Sequence, residues 1–159
     1  RKDSVRNAEE TGEFVWNMAT YALRNAVNIS AEELPHGVDE FERAGLTKLP
    51  SRKVRPARVA GSPIQFECVY LNTLRFPGVP PMGTADVVFG RVVAVHIADE
   101  VITPEGLVDV LKIQPLARMG YFDYTFVDNK FQMVIPGNSR ALLAGLEGSP
   151  DKAGAAREP

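Results

Sequence analysis

The sequence predicts a mainly β domain of barrel type with short helices, and three observations carry that expectation. Two long strand-forming stretches, "PIQFECVYLNTLRF" and "ADVVFGRVVAVHIADEVI", follow one another with only the turn-rich "PGVPPMGT" between them. The second is apolar on both faces and too long to stay flat, and Gly90 is its natural place for a bend or bulge. Turns, not crossover helices, link the strands, which favours a barrel over a doubly wound sheet.

Taken in order, the chain opens "RKDSVRNAEETG", where Asp3 is a good N-cap and Thr11-Gly12 stops a short helix. "GEFVWNMA" is a compact strand-forming run. Thr20 then caps a helix through "YALRNAVNI", with Leu23, Ala26 and Val27 at helical spacing. Ser30 with Glu33, and Asp39 with Glu42, have the spacing of capping boxes; Pro35 cuts off the first and Gly45 ends the second. The basic connector "TKLPSRKVRPARVAGSP" carries Lys48, Arg52, Lys53, Arg55 and Arg58. Its first reading is a solvated loop, its second an anion site.

In the first long strand Ile64, Phe66, Cys68 and Tyr70 share one face, and Gln65, Glu67, Val69 and Leu71 the other. Cys68 therefore reads as a buried hydrophobe. In the second strand the alternation places His96 with Val88, Val92 and Ala94. Thr103-Pro104 predicts a short helix over "EGLVDVLK", and "YFDYTFVDNKFQMVI" a last hairpin or extended segment. From residue 145 the apolar periodicity ends, so 1–144 reads as one domain and 145–159 as a disordered tail.

Composition narrows the function classes. The 159 residues are 45% hydrophobic and 24% charged, enough for one ordinary buried core. A net charge of −2 advertises neither nucleic acid nor an anionic membrane, and no apolar run is long enough for a membrane span. Cys68 is the single cysteine; with no visible signal peptide, this points to a reducing, cytoplasmic setting. There is no G-x-G-x-x-G after a strand, no Walker lysine, no H-E-x-x-H and no nucleophile elbow, and His36 and His96 lie sixty positions apart. A metal site is not expected.

Two sites remain. Arg1, Lys2 and the Ser4 hydroxyl stand at a helix start, where unpaired N–H groups and the dipole attract anions. They are either solvated charges beside an ordinary cap or a phosphate cradle. His96 is the one polar singleton in an apolar setting. It is either a structural histidine bonded to a backbone carbonyl or a proton donor at a ligand mouth.

The order of segments resembles the flavin reductase-like family of FMN-binding split barrels, flavoredoxin and its bacterial relatives. "RKDSVRNAEETGEFVWN" is similar to the family's R-K-D-[ST] phrase, helix and strand. "GVDEFERAGLT", "PSRKVRPARVAGSPIQFEC", "GRVVAVHI" and "PLARMGYFDYTFVDNKFQM" follow in the family's order, over roughly residues 1 to 136. The resemblance implies a Greek-key split barrel, incomplete at its N-terminus because relatives carry further strands before the R-K-D-[ST] phrase. It implies that Arg1, Lys2 and Ser4 hold the FMN phosphate and that His96 lies near flavin or nicotinamide. Tyr124 and Phe131 would cover the flavin, although burial in the barrel explains them equally well. Hydride would pass from NADH or NADPH to flavin N5, within a homodimer, and onward to a monooxygenase partner or another acceptor. The alternatives are a non-catalytic flavin-binding or dimerisation remnant of the fold, and a pyridoxine-phosphate oxidase-like enzyme on the same barrel.

Overall fold

The computed structural model describes residues 2–35 and 37–133. Arg1, His36 and the tail expected over 145–159 lie outside the described residues.

Helix α1 spans Asp3–Thr11, and Gly12 closes it in the left-handed conformation (φ 73°), its N–H donating to the Ala8 carbonyl. Lys2, not Asp3, occupies the N-cap position, and its side chain makes no capping bond. Asp3 sits instead in the first turn, where its charge still complements the helix dipole. Strand β1 (Glu13–Asn17) follows. Thr20 does precede the next helical segment, but that segment starts as a 3-10 turn, Tyr21–Leu23, before becoming α2 (Arg24–Ile29). Ser30 starts no helix; its hydroxyl donates back to the Val27 carbonyl (2.9 Å) and so helps finish α2. Helix α3 (Glu40–Arg43) has the expected cap, Asp39 accepting from the Phe41 N–H at 2.9 Å, and Gly45 beyond it takes φ 65°.

The connector forms β2 (Lys48–Leu49) and β3 (Arg58–Val59), paired with each other. The two long strands are β4 (Ile64–Phe76) and β5 (Ala85–Ile97). With β1 they make an antiparallel sheet in the order β1-β4-β5. Its register shifts twice, between Glu67 and Cys68 and between Tyr70 and Asn72, the second beside Gly90. The first shift skips Val93, since Glu67 faces Ala94 while Cys68 faces Val92. Val92 therefore shares a face with Cys68 and not, as simple alternation predicts, with His96.

The first part of the helix expected over residues 105–112 is replaced by a tight turn. Thr103 N–H donates to the Leu107 carbonyl, Gly106 takes φ 78°, and Ile102 bridges Val108. Only α4 (Val110–Ile113) is helical there, capped by Asp109, which accepts from the Lys112 N–H. The last hairpin pairs β6 (Leu116–Gly120) with β7 (Asp123–Phe126), so its first arm lies upstream of the aromatic stretch. Ile64, Val101 and Ile113 form the buried core, with Met18, Phe66 and Ala98 packed against it.

The sheet separates its polar and apolar residues between two faces. Cross-strand pairing puts Asn17, Gln65, Glu67 and His96 together, and the connector covers them through polar contacts. Asn17 Oδ1 accepts from the Val59 N–H, and Gln65 bonds Arg58 and the carbonyls of Val59 and Ser62. The other face carries Trp16 stacked on Phe66 (centroids 4.8 Å apart), with Cys68, Val92 and Val95. Cys68 is buried as expected, and burial pushes its thiol pKa up. Towards β5 this apolar face stays open: Val95 is 55% exposed and Val92 45%.

Candidate functional site

A carboxylate in the middle of an antiparallel strand must find partners for its lone pairs or lose stability. Glu67 is completely buried, and the connector supplies those partners from its backbone. The Arg52 N–H donates to Oε1 at 2.8 Å; the Lys53 and Val54 N–H groups donate to Oε2 at 2.6 and 3.2 Å. His96, displaced one register step on β5, places Nε2 2.6 Å from Oε1. Burial alone would raise the Glu67 pKa, but the Arg52 and Lys53 N–H groups and the His96 ring outweigh it and hold it down at about 2.

His96 is thus neither bonded to a backbone carbonyl nor free; its partner is a carboxylate. Its side chain is 15% exposed. Nδ1 has no partner among the described residues, and no buried side-chain nitrogen or oxygen there lacks one, so Nδ1 reaches solvent. The arrangement offers one imidazole nitrogen to an incoming group and anchors the other.

The backbone N–H groups of residues 52–54 thus receive a carboxylate of the same chain, while the side chains of Lys48, Arg52, Lys53 and Arg55 are exposed, as in the first of the connector's two sequence readings. Three of its five cations have side-chain partners. Lys48 pairs with Asp39, Arg55 with Glu13 at 3.0 Å, and Arg58 with Gln65 Oε1 at 3.0 Å. The Arg55 N–H and guanidinium hold the Glu13 carboxyl below the usual range.

Lys2 and Ser4 line an open cleft of about 830 Å³ between α1, the segment after α2 and the start of β5. The Ser4 hydroxyl has no partner among the described residues. Five carboxylates share the cleft: Asp3, Glu32, Glu33, Glu40 and Asp86. Arg43 pairs with Glu32 (3.0 Å) and Arg75 with Asp86 (2.7 Å). No aromatic residue lines it. Lys2 and the Ser4 hydroxyl are the groups there that could meet an anion, in a cleft otherwise rich in carboxylates and without a platform for a flat ring.

The aromatic side chains gather elsewhere. Tyr124 lines a smaller cavity of about 350 Å³ with Tyr21, Phe122 and Phe126, where the Arg24 guanidinium lies 4.2 Å from the Tyr21 ring centre. Phe131 is 82% exposed and lines neither cavity. Lys2 and Ser4 are therefore brought together, Tyr124 lines a separate cavity, and His96 lies under the connector.

Glu67 is the residue that sequence reasoning passed over. The available signal was a lone carboxylate inside "QFECV", on a strand face with Gln65, in a chain whose next strand carries one histidine. Among the described residues no group of three or more His, Cys, Asp and Glu could hold a metal ion. No described helix is long and apolar enough to cross a membrane.

The chain is mainly β with short helices on a bulged antiparallel sheet, and it shares the split-barrel fold of solved structures. A solved structure with a split barrel domain from Shewanella frigidimarina matches 82% of this chain and 64% of its own length (TM-score 0.69, 20% identity). Residues 1–126 match the flavin reductase like domain, and the chain belongs to that family. It is 34% identical over 135 residues to an uncharacterized protein of Halalkalibacterium halodurans, covering 85% of this chain and 64% of that one. It is also similar to nitrilotriacetate monooxygenase component B from Bacillus cereus (30% identity, TM-score 0.76), covering 84% of this chain and 65% of that one. The chain thus spans a little under two thirds of the length of these relatives.

Proposed function

We propose that the chain is the flavin-binding part of an FMN-dependent NAD(P)H oxidoreductase of flavin reductase type. The observation that carries this reading is the family match across residues 1–126. The 30% identity to a monooxygenase component B supports a monooxygenase partner or a similar electron acceptor.

Lys2 and Ser4 would hold the FMN phosphate, Lys2 by its ammonium and Ser4 by its hydroxyl and helix-start N–H. Arg1 belongs to the same proposal by its place in the sequence. Bound flavin would supply two-electron chemistry, accepting hydride at N5 from NADH or NADPH. His96 is the catalytic residue of this reading, presenting Nδ1 as the nitrogen that holds or gives up a proton. Tyr124 would bear on a ring of flavin or nicotinamide through its aromatic face. The open apolar face around Trp16, Val92 and Val95 supports a homodimer; sedimentation at the monomer mass would contradict it.

The same open face favours one second reading, a non-catalytic dimerisation domain of this fold. A visible spectrum after loading with FMN and removing the excess, followed by an NADH oxidation assay, separates the two. Flavin-dependent turnover supports the oxidoreductase; retained flavin without turnover supports the second reading, and absence of both overturns flavin binding by this chain.

A further inference from the structure

Glu67 has an ordinary explanation as a pin that fastens the connector to the sheet, and three of its four hydrogen bonds do that. The fourth goes beyond it. Nothing about fastening residues 52–54 requires a histidine on the neighbouring strand with Nε2 2.6 Å from Oε1.

The hydrogen in that short contact has one possible owner. Glu67 accepts three backbone N–H bonds, which hold its carboxyl in the ionised, acceptor-only form. The hydrogen therefore sits on the ring, and neutral His96 is the Nε2–H tautomer with its lone pair on Nδ1. The cross-strand neighbour of His96 does not compete for the ring. Gln65 donates to the Val59 and Ser62 carbonyls, both at 2.8 Å, and accepts from Arg58 at 3.0 Å.

We propose that Glu67 is the positioning residue of His96, fixing its tautomer and ring orientation so that Nδ1 is the working nitrogen. In the neutral ring Nδ1 accepts a hydrogen bond; when the ring takes a second proton, that proton is carried on Nδ1 and faces outward. The three loop N–H groups keep the carboxylate oriented, so the device runs from the connector backbone through Glu67 to His96. That His96 acts in turnover rests on the oxidoreductase reading above; the tautomer does not.

Glu67→Gln makes the proposal sharp. An amide has one oxygen, and placing it where Oε2 stands keeps two loop N–H bonds, whereas placing it at Oε1 keeps one. The –NH2 therefore faces His96, Nε2 must become the acceptor, and the ring proton moves to Nδ1.

The test is 15N NMR of the histidine rings in the uniformly labelled full chain. The sequence holds two histidines, and His36→Asn identifies the His96 signals. A single neutral Nε2–H tautomer in the parent protein, switching to Nδ1–H in Glu67→Gln, is the expected result. An Nδ1–H ring or an exchange-averaged mixture in the parent overturns the proposal, and that result stands even if Glu67→Gln does not fold. A folded Glu67→Gln with an unchanged tautomer overturns it too. In the NADH oxidation assay the same variant should lose about tenfold or more in kcat with KM little changed, and Glu67→Asp, which keeps the charge, should recover part of that loss. No oxidation by any variant, with the Nε2–H tautomer present in the parent, would overturn the oxidoreductase reading and leave the positioning of His96 upheld.

Discussion

The Phe14 ring on β1 lies so close over Gly90 on β5 that a β-carbon there would stand 2.4 Å from its Cζ. The two strands flank β4, so the ring reaches across the central strand to the backbone beyond it, and Cys68 Cβ would be 3.2 Å from the same added atom. Gly90 was legible as a point of weakness in the strand. Its use as a seat for an aromatic ring was not.

Gly90→Ala should therefore destabilise the sheet by about 1–3 kcal/mol through overpacking. Urea unfolding checks this. Combining it with Phe14→Leu, which vacates the contact, should recover part of the loss; full additivity of the two would contradict the contact.

Acid should loosen the connector through Glu67. Its folded pKa of about 2 lies below the ordinary 4.5, so between those values the unfolded chain binds more protons than the folded one. The stability Glu67 contributes is thus fully present above pH 4.5 and is lost as pH falls towards 2. Glu13 and Asp39, also lowered, act in the same direction. Glu67→Gln removes only the Glu67 contribution: thermal melts from pH 6 to pH 2 should show a shallower fall for the variant. Parallel curves would mean that folding leaves the Glu67 pKa unshifted.

Phosphate recognition at α1 predicts a selective loss. Lys2→Ala should weaken binding of FMN much more than of riboflavin, measured by fluorescence quenching of each flavin at low salt, because only FMN carries the phosphate. The loss should be modest, roughly 1 kcal/mol, since Lys2 is exposed and its cleft also holds carboxylates. Equal losses for both flavins would remove the phosphate from this site.

The strands were readable because each announces itself locally. β1, β4 and β5 are runs of strand formers broken by turn residues, and Gly12 and Gly45 stop their helices within one residue of expectation. Capping patterns were less dependable. Asp39 caps α3, yet Ser30 turned its hydroxyl back to the preceding turn, and around Thr103 a bridge between Ile102 and Val108 replaced the first part of the expected helix. Spacing shows that a cap is available; tertiary pairing decides whether it is used.

His96 stood out in the sequence as a polar singleton, but its partner did not. Glu67 lies 29 positions earlier, and the two meet only through the β4–β5 register, which a bulge at Val93 resets. The other partners of Glu67 are main-chain N–H groups, which no residue type announces. A sequence shows side chains, and this site is built largely from backbone.

That construction sets what drift the connector tolerates. At positions 52 and 53 the Glu67 carboxylate touches only the peptide nitrogen, and the Arg52 and Lys53 side chains are exposed. Nearly any residue can stand at either place without disturbing the contact, and proline, which has no N–H to give, is the exception. A stretch that looks freely variable among cousins of this protein can thus carry a strict demand, written only in the one amino acid it forbids.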